Sequence, residues 1–193
     1  MKKLCLILLA FFCMQFCFSQ NMLSISDYKT LSGAISLKFE DFPTAKQWNG
    51  KRATPVLDTD LKKTYRTLIR KNAEEEPNFN GIYRIAEFGA GTGWHGFFVI
   101  NLETGSVTEG IFNDLGLEYT KDSRLIIVNP PDVILDYWQD EEFVPIWAKS
   151  IYALFENESF INILEVYNNN MNVEKQALES ILMAFGTGHE LNG

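Results

Sequence analysis

Cysteine is scarce in this 193-residue chain: Cys5, Cys13 and Cys17 all fall within its first seventeen residues. The rest of the chain has none, which excludes a disulfide, a zinc–thiolate centre and a cysteine nucleophile there. Histidine is scarcer, with His95 and His189 alone, so a metal site would have to rest on oxygen ligands. Basic side chains are outnumbered, 17 Lys and Arg against 25 Asp and Glu for a net charge of −8, and that balance argues against nucleic acid as a partner. Long apolar runs are missing after the N-terminus, so no later segment is expected to cross a bilayer. Hydrophobic residues make up 46%, which excludes wholesale disorder, and the length suits one domain.

What is present begins with Lys2 and Lys3, then an unbroken apolar run over residues 4–14 that continues, past Gln15, to Phe18. Cys17 and Ser19 are small residues placed for cleavage before Gln20, so residues 1–19 read as a secretory signal peptide. Cys13 and Cys17 each follow a phenylalanine, which does not suit a lipid anchor. Loss of Lys2 and Lys3 with this leader takes the net charge from −8 to −10. Residues 20–193 are then expected to form a single extracytoplasmic domain with its core over about 36–166, periplasmic or secreted and without membrane insertion.

Within that domain residues 20–37 read as a loose lead-in. Residues 36–42 alternate apolar and polar and suggest a strand stopped by Pro43. Residues 58–72 predict a helix: Leu61, Tyr65, Leu68 and Ile69 recur at helical spacing, and the acids Asp58 and Asp60 and the bases Arg70 and Lys71 match the ends of its dipole. Its basic run reads as a solvated helix face. Strands are predicted over 82–88, 97–102, 106–111, 124–128, 151–155 and 160–166, with a hairpin turn at Glu103-Thr104-Gly105 and another across Glu156-Asn157-Glu158. Val173, Ala177, Leu178, Ile181, Leu182 and Phe185 suggest a C-terminal amphipathic helix. The expected fold class is α+β, a mostly antiparallel sheet of six or more strands with one helix before it and one C-terminal helix.

The most specific segment runs Glu87-Phe88-Gly89-Ala90-Gly91-Thr92-Gly93-Trp94-His95-Gly96. By itself it resembles the first motif of the S-adenosylmethionine-dependent methyltransferases, and Asn129-Pro130-Pro131-Asp132 resembles the Asn-Pro-Pro-aromatic motif of their amino-methylating members. That fold needs a helix directly after the glycine turn, whereas Phe97-Phe98-Val99-Ile100 reads as a strand. Asp132 replaces the aromatic, and a signal peptide would separate the chain from a cytosolic cofactor. The competing reading is a glycine-rich turn between two antiparallel strands, which needs no cofactor.

A second resemblance covers about residues 39–164. Asn78-Phe79-Asn80-Gly81-Ile82-Tyr83, Gly89-Ala90-Gly91-Thr92-Gly93-Trp94, Thr104-Gly105-Ser106-Val107 and Asp122-Ser123-Arg124-Leu125 occur in order. Together they resemble a family of small secreted bacterial proteins to which no activity is assigned. The resemblance implies fold and location and supplies no reaction. Family loops carry two cysteines where this chain has Ala90 and Trp94, which puts any redox or metal role of the loop in doubt here.

His95 beside Glu87 could serve as a base; the bland reading is a surface histidine. Asp136, Asp140, Glu141 and Glu142 lack the alternation and central glycine of a calcium loop and read as a solvated loop. Tyr137, Trp138, Phe143 and Trp147 read either as packing or as a recognition surface. The function expected is a non-enzymatic binding module for an unidentified protein or small molecule, with no cofactor and no metal. Its candidate contacts are Glu87, Gly89, Gly91, Thr92, Gly93, His95, Trp138 and Trp147. The alternative is an enzyme, either the methyltransferase or a secreted hydrolase using Glu87 and His95.

Overall fold

Three stretches, 97–100, 125–128 and 151–155, carry apolar residues without the alternation of a half-exposed strand. A computed structural model of the chain explains them: each belongs to a strand covered on both faces. The structure describes residues 23–166 apart from 90, 92, 94 and 146. The expected leader at 1–19, Thr92 and the C-terminal helix expected over 173–185 lie outside the described residues.

In chain order the elements are β1 (Leu23–Ser24), α1 (Ile25–Gly33), α2 (Asp60–Thr64), α3 (Arg66–Ala73), β2 (Tyr83–Gly89), β3 (His95–Asn101) and β4 (Val107–Glu109). There follow β5 (Leu117–Tyr119), β6 (Leu125–Val128), α4 (Pro131–Tyr137), β7 (Phe143–Val144), β8 (Ser150–Glu156) and β9 (Ser159–Val166). The strands form three sheets, in the orders β2-β3-β4, β5-β6-β8-β9 and β1-β7, and every pairing is antiparallel. The single sheet expected from sequence is thus replaced by three, and in place of one preceding helix there are α1, α2 and α3 before β2, with α4 inserted between β6 and β7, among the described residues.

Period-two geometry sorts the buried side chains into three layers of core. Ile85, Phe97 and Val99 from the first sheet meet Ile126, Val128, Ile151, Ala153 and Phe155 from the second. The opposite face of the first sheet presents Ala86, Phe98 and Ile100 to Ile69 and Ala73 of α3. The opposite face of the second presents Leu125, Ile127, Tyr152 and Leu154 to Tyr28 of α1, Ile134 of α4 and Trp138. The order is helix, sheet, sheet, helices. Alternation vanishes from β3, β6 and β8 because neither face meets water.

Several local expectations are corrected. Residues 20–37 are no loose lead-in: Ser24 caps α1 by accepting from the Asp27 N–H at 3.0 Å, and Tyr28 is fully buried. Residues 36–42 form no strand; Phe39–Asp41 is a 3-10 turn, tied by the Asp41 carboxylate to the Lys38 N–H at 2.9 Å. The helix expected over 58–72 divides at Tyr65, whose φ of −94° and ψ of 20° leave the helical region. Lys62 is buried rather than solvated and pairs with Asp58 at 2.6 Å. The acidic segment after Pro130 is partly α4, not all loop. The hairpin across Asn157 and Glu158 is as expected, both residues taking the positive φ (48° and 60°) of a two-residue reversal.

Candidate functional site

The glycine segment is the free end of a hairpin. β2 and β3 pair in continuous register from Tyr83 opposite Asn101 to Gly89 opposite His95. Gly91 and Gly93 adopt φ of +85° and +84°, with open space where a side chain would project, so these glycines serve the reversal itself. A strand and not a helix follows, so the turn lacks the helix N-terminus on which a cofactor-binding glycine loop rests. Asn129 of the second motif is a buried clamp. Its Oδ1 accepts from the N–H groups of Asp114 and Leu115 at 3.1 and 3.0 Å, and its Nδ2 donates to the Lys149 carbonyl at 3.1 Å. Pro131 opens α4, where a missing N–H breaks no helical bond.

Glu87 and His95 are both exposed and share one face of the β2–β3 pair, Glu87 standing opposite Phe97, two residues beyond His95. Among the described residues no ion pair or hydrogen bond joins them. Glu87 instead accepts from the Tyr119 hydroxyl at 3.3 Å. Burial and then the Glu87 charge push the Tyr119 phenol up to about 12. His95 is held by its backbone, with N–H and carbonyl exchanging bonds with Asn113 at 2.8 and 3.0 Å.

The aromatic segment divides sharply. Trp138 is buried at 8% exposure, while Tyr137 and Trp147 are 71% and 54% exposed. Trp138 supports both: its ring lies 4.6 Å from that of Tyr137 and 5.3 Å from that of Trp147, the latter edge-on. Val133, one helical turn before Tyr137, is exposed as well, so α4 shows an apolar outer edge continuous with this ledge. The same segment carries Asp132, Asp136, Asp140, Glu141 and Glu142, all exposed, and residues 125–148 include no Lys or Arg. Among the described residues none of the five acids forms an ion pair. Nor does any group of three or more His, Cys, Asp or Glu side chains come together there.

Two clefts open elsewhere among the described residues. One, of about 300 Å³, is lined by Thr44–Lys46, Asn80, Ile82, Tyr83, Arg124 and 155–157. Two of the four segments in the second resemblance, 78–83 and 122–125, meet there. Gly81, with φ of +71°, packs so tightly that a Cβ would stand 1.8 Å from the Lys46 carbonyl oxygen. Arg124 pairs with Glu156 and Lys46 with Glu103, while Ser106 donates to Glu158 at 2.6 Å. Asn80 donates to the Phe155 carbonyl at 3.1 Å, and Thr44 to that of Lys46 at 3.0 Å. One oxygen of Glu103, Oε1, is buried without a hydrogen-bond donor, but Glu103 does not line the cleft.

The other cleft, of about 370 Å³, lies between α1 and α4 over the second sheet. Its floor is one row across three strands, since Glu118 of β5 stands opposite Ile127 of β6 and Ile127 opposite Tyr152 of β8. Lys29, Ser32 and Gly33 of α1 form one wall, and Pro131, Asp132 and Leu135 of α4 the other. Sequence reasoning missed this cleft. The one signal was Tyr152 itself, a hydroxyl inside an otherwise apolar run, since buried phenols ordinarily find a partner.

Compared with known proteins, the chain matches no family model, no curated protein and no solved structure.

Proposed function

We propose that the protein is a secreted, non-enzymatic binding module whose main contact surface is the pair Tyr137 and Trp147, carried on Trp138, and that its partner is a basic protein segment. The observation that carries this reading is the exposure of Tyr137 and Trp147 on a buried Trp138. Aromatic rings held rigidly in water give contact area at small entropic cost and dominate binding hot spots. The acids Asp136, Asp140, Glu141 and Glu142 of the same segment, without an intervening base, favour a cationic partner, and the two exposed rings offer its Lys or Arg side chains cation–π contacts. Trp138 acts as the prop and not as a contact. The glycine hairpin, with Gly89, Gly91, Thr92, Gly93 and His95, is a secondary surface. The enzyme alternatives have weaker support, because Glu87 is engaged by Tyr119 and the glycine turn leads into a strand.

Calorimetry with an octalysine peptide and an octaglutamate control tests the reading. The basic peptide should bind, more weakly as salt rises, and Tyr137→Ala with Trp147→Ala should weaken it at least tenfold while the melting temperature changes little. Absence of binding, or binding indifferent to those changes, would overturn it. The location is tested by the intact mass of protein from fractionated cells, expected to begin near Gln20 outside the cytosol.

A further inference from the structure

We infer that the cleft between α1 and α4 is a binding site for a small organic cation, an ammonium group carried on an apolar body. Three observations meet there. Tyr152 lines the cleft at 5% exposure, yet among the described residues its hydroxyl makes no hydrogen bond. This contrasts with its neighbour in the same core, Tyr28, whose hydroxyl lies 2.6 Å from the Ser150 Oγ. The Tyr152 ring is buried while its hydroxyl keeps contact with solvent in the cleft, so its bonding capacity is turned towards a space of about 370 Å³, within the range of small-molecule sites.

The second observation is the charge around that hydroxyl. Glu118 comes from β5 and Asp132 from α4, against Lys29 from α1. Among the described residues none of the three is in an ion pair. Two carboxylates against one ammonium, in a chain of net charge −8, favour a positive guest. Burial first, then Tyr28, Glu118 and Asp132, push the Tyr152 phenol above its ordinary range. Like any phenol it is protonated at neutral pH, and its oxygen can accept a bond from an ammonium.

The third is the apolar lining. Ile127 on the floor, with Pro131 and Leu135 on the α4 wall, gives the guest a surface to dehydrate against, while its charge is met by the Tyr152 hydroxyl and the carboxylates of Glu118 and Asp132. A polar tip on an apolar body is the shape this lining complements.

The test uses the full chain and three probes of similar shape: phenethylammonium, 2-phenylethanol and 3-phenylpropionate. Phenethylammonium should bind saturably and at least tenfold more tightly than either of the others. Tyr152→Phe, which removes only the oxygen, should weaken it about fivefold. Glu118→Gln with Asp132→Asn should weaken it about tenfold or more, and Lys29→Gln should strengthen it. Tyr137→Ala should leave it unchanged, which separates this site from the ledge. Tighter binding of 3-phenylpropionate, equal binding of all three probes, or a Tyr152→Phe protein with unaltered affinity would overturn the inference. Should Tyr152→Phe fail to fold, the two exposed carboxylate changes decide the matter.

Discussion

The two clefts differ little in size, about 300 and 370 Å³, and greatly in what their polar groups do. At the first, Lys46 and Arg124 each hold a carboxylate, Asn80 and Thr44 hold carbonyls, and Gly81 lets the backbone close in. That cleft is a joint between the loop at Thr44–Lys46 and the ends of both sheets. At the second, Lys29, Glu118, Asp132 and the Tyr152 hydroxyl surround the same kind of space without bonding one another. A concavity whose donors and acceptors are already joined is architecture. One whose polar groups stand ready has something left to offer a ligand.

The comparison can be broken most forcefully at glycine. Gly81→Ala sets a Cβ against the Lys46 carbonyl in a backbone conformation that side chains avoid, and should cost about 3 kcal/mol or more in urea denaturation. Gly33, on the wall of the second cleft, ends α1 with open space at its Cβ position and no positive φ. Gly33→Ala should stabilise by about 0.5 kcal/mol. Equal effects at the two positions would erase the distinction between joint and site.

Tyrosine sharpens it on a smaller scale. Tyr28→Phe removes a buried hydroxyl bond to Ser150 and should cost about 1 kcal/mol, whereas Tyr152→Phe removes no protein bond and should shift stability by less than about 0.5 kcal/mol. The same phenols give a pH signature. Burial, offset in part by the Ser150 bond and aided by the Asp132 charge, raises Tyr28 to about 12. The folded state therefore holds this proton more tightly than the unfolded chain. Its contribution is full below pH 10 and fades as pH climbs from 10 towards 12, so the urea midpoint should fall across that window and fall less in Tyr28→Phe.

Much of the strand framework was legible because both-face burial leaves an unmistakable trace: Phe97-Phe98-Val99-Ile100 and Leu125-Ile126-Ile127-Val128 suit little else once turns bound them. What misled was punctuation. Asn129-Pro130-Pro131 reads as a stop, yet Pro131 is the first residue of α4, and the acids that follow hide a helix under the look of a loop. Ile25, Tyr28 and Leu31 carried a helical stripe behind a Ser24 cap, but its residues are too few to outweigh the polar ones between them. The division of the strands among three sheets was not written locally at all. It depends on which faces meet, and the Glu118–Ile127–Tyr152 row exists only once register is known. The ledge was legible as composition; that Trp138 is its prop and Trp147 its surface is a matter of packing.

The pairing of β1 with β7 carries a kinetic consequence. β2, β3 and β4 are neighbours in sequence and can zip together through short loops, whereas Leu23 must find Val144 from the far end of the chain. Closing so long a loop is slow and rewarded late, by a ribbon of only two residue pairs and the packing of α1 behind it. The α1 wall is therefore the last part of the molecule to dock and the first to leave. Its amides should exchange with solvent ahead of those in β3, β6 and β8, and each such departure takes away the Lys29 wall of the cleft while the sheets beneath stay in place.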